Sequence, residues 1–137
     1  YNVQEGGFFG GDPMLLSKVG PYPITVSRDR VTDELATMNF PKPDHRLLQY
    51  PNQISAKDFE GWVQERGLYY ANKWDEKYEP LFSASDPGEK PMMGGTLYTK
   101  YGKGNYIFTG EAWFRQLPAG VPGAFRIFAN FLSVGKN

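Results

Sequence analysis

Proline and glycine punctuate this chain so densely that few long regular elements fit between them. There are 16 glycines and 11 prolines, 27 of 137 residues, against roughly 12% in average usage. The stretch TDELATMNFPKPDHRLLQYPNQ carries Pro41, Pro43 and Pro51, each removing a backbone donor and fixing φ. A further 22 residues are aromatic, so apolar material is concentrated in large rings. Short elements joined by elaborate loops are expected, and a helical bundle is excluded.

Charge narrows the function classes. Lys+Arg and Asp+Glu number 15 each, and no basic run exceeds two neighbours, so the dense positive charge that nucleic acid or an anionic membrane requires is missing. No apolar run approaches the ~18–20 residues of a membrane-spanning helix. With no cysteine, disulfides, thiol nucleophiles and Cys-based zinc sites are all ruled out. At 137 residues the chain is one domain, long enough to bury a core. Its opening, YNVQEGGFFGG, lacks an initiating Met and reads like the tail of a strand running into a glycine-rich loop over residues 1–20. The chain is therefore expected to be a fragment of a larger domain beginning upstream.

Periodicity places the elements. YPITVSRDRV, 22–31, alternates Ile24 and Val26 with Thr25 and Ser27, as a half-exposed strand does. Ser55 and Asp58 form a capping-box pattern, and Phe59, Trp62 and Val63 follow at helical spacing, so the pattern predicts a helix over about 55–66 closed by Gly67. GLYYANKW and EPLFSASD read as strands. GGTLYTKYGKGNYIFTG is the strongest β signal, a hairpin at 95–110 around a Gly-Lys-Gly turn. The last element is a helix with Pro122 in its first turn, with Ala124, Phe125, Phe128, Phe131 and Leu132 on one face, and with Gly135 as its stop. A closing strand–loop–helix suggests an α/β domain, a mixed sheet with flanking helices.

Most catalytic signatures are absent. Neither a phosphate-binding GxxxxGK[ST] loop nor a GxGxxG fingerprint occurs. His45 is the only histidine, and no GxSxG elbow accompanies it; it reads as a surface or turn residue. No ligand spacing marks a metal site. Carboxylates near aromatics remain: Glu65, Asp75, Glu76 and Glu111, of which Glu65 and Glu111 would serve a two-carboxyl glycan hydrolase. For binding, GWVQERGLYYANKW divides in two. Trp62 shares a face with Phe59 and belongs to a core, and Arg66 suits a helix C-terminal end. Tyr69 and Tyr70 point to opposite sides of a strand, and Trp74, in the polar run NKWDEK, is the candidate for an exposed ring. GEAWFRQLPAGVPGA, 110–124, brings Trp113 and Arg115 before a Pro/Gly-rich turn. Rings beside arginines stack on flat ligands and clamp carboxylates, which makes Trp74, Trp113, Tyr69, Arg66 and Arg115 the candidate ligand contacts.

DFEGWVQERGLYYANKWDEKYEPL and YGKGNYIFTGEAWFRQLPAGVPGAFRIFANFLSVGK, with SRDRVTDE and LLQYPNQIS, resemble the C-terminal region of long bacterial PIG-L (LmbE-like) deacetylase-family proteins. The resemblance runs from about Gly20 to the end. It implies a ThuA-like fold, akin to the C-terminal part of a class I glutamine amidotransferase-like (flavodoxin-like) domain. The family's zinc-dependent N-deacetylase chemistry rests on an HPDDE-type motif that this chain does not contain. Zinc is thus expected only in the missing catalytic domain, with no cofactor here. Amidotransferase-like enzymes use a Cys on an earlier strand and a His just after the strand matching NYIFTG; this chain has no Cys and has GEAWFRQ in the second place, so that chemistry is excluded. The resemblance implies a non-catalytic accessory domain that binds carbohydrate, through Trp74, Trp113, Tyr69 and Arg115, or mediates assembly. It also implies a periplasmic or secreted setting, and a partner covering an exposed sheet edge. The carboxylate hydrolase stays open as the alternative.

Overall fold

The computed structural model describes residues 20–136; the glycine-rich entry at 1–19 lies outside the described residues. β1 (Ile24–Val31) pairs antiparallel with β2 (Gly67–Trp74). β3 (Glu79–Pro80), β4 (Thr96–Tyr101) and β5 (Gly104–Thr109) form a second antiparallel sheet in the order β3-β4-β5. Three helices, α1 (Arg46–Gln49), α2 (Trp113–Gln116) and α3 (Pro122–Leu132), and a 3-10 turn at Ala56–Phe59 complete the described elements. The domain is α/β as expected, but every strand pairing among the described residues is antiparallel.

The β4–β5 hairpin is covered on both faces toward its open end and exposed at its turn. Thr96 faces Thr109, Leu97 faces Phe108 and Tyr98 faces Ile107, so the pleat sends successive pairs to opposite sides. Leu97 and Phe108 join Ile24, Ala71 and Tyr78, with Tyr69, Trp74 and Tyr106 at the margin. Tyr98 and Ile107 pack on the larger cluster, which contains Phe59, Trp62, Phe82, Trp113, Ile127 and Phe131. The hairpin therefore has an apolar cluster on each face, and Val31 of β1 and Tyr70 of β2 reach into the larger one beside the helices. Among the described residues no helix is long and apolar enough to cross a membrane.

β2 is joined to the base of that hairpin by a close backbone approach. Leu68 N–H donates to the Gly110 carbonyl (3.0 Å) and Ala71 N–H to Gly94 (3.0 Å), while Gly110 N–H closes the hairpin's own base on Gly95 (2.7 Å). A Cβ at Gly94 would collide with the Ala71 carbonyl, and one at Gly95 with the Glu111 carboxyl. Only a residue without a side chain permits this contact.

Three expectations need correction. The capping box of Ser55 and Asp58 forms, but the helix it opens is a single 3-10 turn, not a helix over 55–66. Gly61 takes φ +75°, and Gly67 starts β2 rather than ending a helix. The turn's stability comes from tertiary contacts: Arg126 of α3 binds the buried Asp58 carboxylate at 2.7 Å, and Gly123 lies against the Asp58 backbone. EPLFSASD yields only the two-residue β3, followed by isolated bridges Asn39–Ser83 and Ala84–Met92. On α3 the core face is Ala124, Ile127 and Phe131, whereas Phe125, Phe128 and Leu132 are exposed.

Between β1 and β2 the backbone is mostly irregular, and side chains from elsewhere satisfy it. Asp86 accepts from Asp33 N–H (2.7 Å) and the Thr32 hydroxyl (2.8 Å). Asn130, fully buried, donates to the Leu47 and Asn52 carbonyls and accepts from Asn52 N–H. Gln116, equally buried, accepts from Val63 N–H and donates to the Val63 and Glu65 carbonyls.

The close approach yields a graded prediction in urea denaturation. Gly94→Ala lowers stability by about 3 kcal/mol or more through overpacking against fixed backbone. Gly104→Ala, where the nearest atom is 3.4 Å from the new carbon, costs under about 1 kcal/mol. Equal effects at the two positions would contradict the packed joint.

Candidate functional site

Two features compete for attention, a buried polar cluster and an open groove, and they share a wall. The cluster lies where β2 meets the hairpin. Arg66, just before β2, is 5% exposed. Its guanidinium donates to the Ala36 carbonyl from Nε (3.2 Å) and Nη2 (2.8 Å), and to Phe59 from Nη1 (2.6 Å). It also lies over the Phe59 and Trp62 rings. The Phe59 carbonyl ends the 3-10 turn, so Arg66 closes a helical terminus through space. Burial pulls its pKa down, opposed first by the Glu111 charge and then by Tyr70, Asp33 and Glu34.

Tyr70 and Glu111 form the centre. The Tyr70 hydroxyl donates to Glu111 Oε2 at 2.8 Å, and both residues are 1% exposed. Burial raises the Glu111 pKa to about 7, against the lowering effects of the Tyr70 hydrogen bond, the Arg66 charge and the Thr96 hydrogen bond. Tyr70 is also pushed well above its usual value, by burial first and then by Glu111. From there a hydroxyl chain runs outward. Thr96 and Thr109 bond across the hairpin at 2.9 Å, and Trp113 Nε1 donates to the Thr109 hydroxyl at 2.9 Å.

Thr109 and Trp113 then line the groove, a cleft of about 500 Å³ between β5 and α3. Ile107, Phe114, Leu117, Phe128, Phe131 and Leu132 make it apolar, and Asn105 adds a polar end. Its outer rim is exposed aromatic surface.

The five candidate contacts are not brought to one place. Trp113 is on the groove wall although only 3% exposed. Arg115 binds Glu65 at 2.6 Å and sits over the Phe114 ring. Arg66 is interior. Trp74 and Tyr69 are half-buried against the smaller apolar cluster, on the hairpin's other face; Trp74 is thus less exposed than its polar neighbours suggest. Tyr69 holds φ +60°, a left-handed backbone unusual for a ring-bearing residue, within the bulged β1–β2 pairing. Of the carboxylates, Glu65 is 7% exposed within its ion pair and Glu111 is enclosed; neither lines the groove. His45 accepts from Leu47 N–H through Nδ1, capping α1, and meets Glu79 through Nε2 at 3.1 Å. Among the described residues no group of three or more His, Cys, Asp or Glu is placed to hold a metal ion.

Residue pattern did not point to Tyr70, Thr96, Thr109, Phe128 or Leu132 as site residues. One signal existed for the threonines, because the hairpin register places them opposite each other. Scanned against protein-family models, curated proteins and solved structures, the chain finds no match.

If the cluster holds the fold, conservative changes there lower stability. Arg66→Lys loses about 2–4 kcal/mol, because one ammonium does not reproduce a fork spanning two carbonyls. Tyr70→Phe costs about 1–3 kcal/mol and moves the Glu111 pKa further up, since a bond to the ionised form is lost. Urea midpoints check both; unchanged midpoints would show the cluster to be dispensable.

Proposed function

We propose that this chain is a non-catalytic accessory domain, of the kind its resemblance to the C-terminal region of PIG-L (LmbE-like) N-deacetylase-family proteins implies. Its role would be assembly: packing against a neighbouring domain of such a longer protein. The carrying observation is the outer stripe of α3, where Phe125, Phe128 and Leu132 are 51%, 37% and 69% exposed, beside Phe114 at 43%. Spaced i, i+3, i+7, they share one helix face that continues into the apolar groove. Contiguous exposed apolar surface of this kind marks an interaction site.

The finer likeness, to the closing part of an amidotransferase-like (flavodoxin-like) domain, belongs to the same reading. The succession of β5, α2 and α3 after a Gly-Lys-Gly turn supports it. An exported location follows from the resemblance as well. Carbohydrate binding is the second reading, favoured by a tryptophan wall with Asn105 and Thr109 in the groove. Hydrolysis by Glu65 and Glu111 draws no support from a groove that contains neither.

Sedimentation equilibrium tests the assembly role. Without its neighbour, the isolated chain is expected to self-associate through this face. Phe125→Asp combined with Phe128→Asp should weaken that association at least about tenfold while costing little stability, since both rings are exposed. A strictly monomeric chain with no affinity for apolar probes would overturn the proposal. Glycan binding weakened by Asn105→Ala would instead favour the second reading.

A further inference from the structure

We propose that the joint between β2 and the β4–β5 hairpin is proton-gated, closing with Glu111 protonated and loosening when that proton leaves. The inference is independent of the assembly reading.

The geometry is specific. Glu111 pairs with Gly67 in an isolated bridge, so its carboxyl sits where the two sheets meet. Gly95 packs against the carboxyl so closely that a methyl group would not fit. The Tyr70 hydroxyl and Thr96 hydrogen-bond to it, and at 1% exposure water does not replace them. A carboxylate formed there loses its hydration, whereas a carboxylic acid is accommodated.

The surrounding charges do not reverse this. Arg66, preceding β2, attracts the ionised form, but its N–H groups are directed to Ala36 and Phe59. Asp33 and Glu34, before α1, act on Arg66; Asp86, after β3, acts on Tyr70. From α2, Arg115 is held by Glu65. Burial outweighs these contributions, and the pKa stands near 7 rather than the ordinary 4.5.

The sign follows from linkage. Between those two values the closed joint keeps a proton that the opened, hydrated Glu111 releases. Opening therefore becomes easier as pH rises, about tenfold per unit, and levels off above the closed-state pKa.

Amide hydrogen exchange reads this opening directly, once rates are corrected for intrinsic pH dependence. The Leu68 and Ala71 amides, which bond across the joint, should open about tenfold more per unit from pH 5 to 7. The Ala84 and Met92 amides, each donating to the other residue's carbonyl away from the joint, serve as controls with little slope. Glu111→Gln, which keeps an acceptor for Tyr70 but has no proton to lose, should flatten the joint profile. A pH-independent joint in the wild type, or the same slope in the variant, overturns the proposal. Carbon-13 NMR of the wild-type Glu111 carboxyl needs no variant: a midpoint near 7 supports the gate and one near 4.5 ends it.

Discussion

A buried backbone amide or carbonyl must find a hydrogen-bond partner, and in this protein much of the buried chain belongs to no ladder. The stretch between β1 and β2 contains a four-residue helix and one 3-10 turn, yet it contributes Ala36, Met38, Leu47, Leu48, Ile54, Phe59 and Trp62 to the core. Arg66, Asp86, Gln116 and Asn130 supply what regular structure does not. Each is buried, and each bonds backbone groups of that stretch. The described residues leave no buried side-chain polar atom unsatisfied. These side chains hold an irregular segment in place, because removing any one strands a partner at about 1–3 kcal/mol.

The same constraint explains the polar cluster. Buried, ionisable residues with perturbed pKa values often mark active sites, although structural networks perturb them too. Here Arg66 bonds carbonyls and Tyr70 bonds Glu111, while the glycines around them bring backbone against backbone. That is the chemistry of a joint. The open surface lies one hydroxyl chain away, along β5 and α3, and it is mostly apolar. Its polar lining residues are Asn105 and Thr109.

Some of this was legible in the residues. The hairpin around Gly102–Gly104 was, because alternation and turn chemistry agree locally. The Ser55–Asp58 capping box was legible too, but it marks how a helical turn begins and says nothing of how far it runs; Asp58 is held by Arg126, 68 residues away. The last helix is legible in the sequence, but which of its apolar residues face the core is not. Phe125, Phe128 and Leu132 are as apolar as the core positions, so pattern alone does not separate a buried stripe from an exposed one. Least legible were Arg66, Gln116, Asn130 and Glu111, whose residue types indicate surface. Their burial follows from partners up to 83 residues distant in sequence, which no local window contains.

Native-state hydrogen exchange at the amides of Asn52 and Val63 tests this most directly. Both lie in irregular chain, bonded to the Asn130 and Gln116 side chains respectively. Protection close to that of the hairpin core is the predicted result. Exchange as fast as in an exposed loop would contradict the account, because the segment would then owe its shape to something other than these side chains.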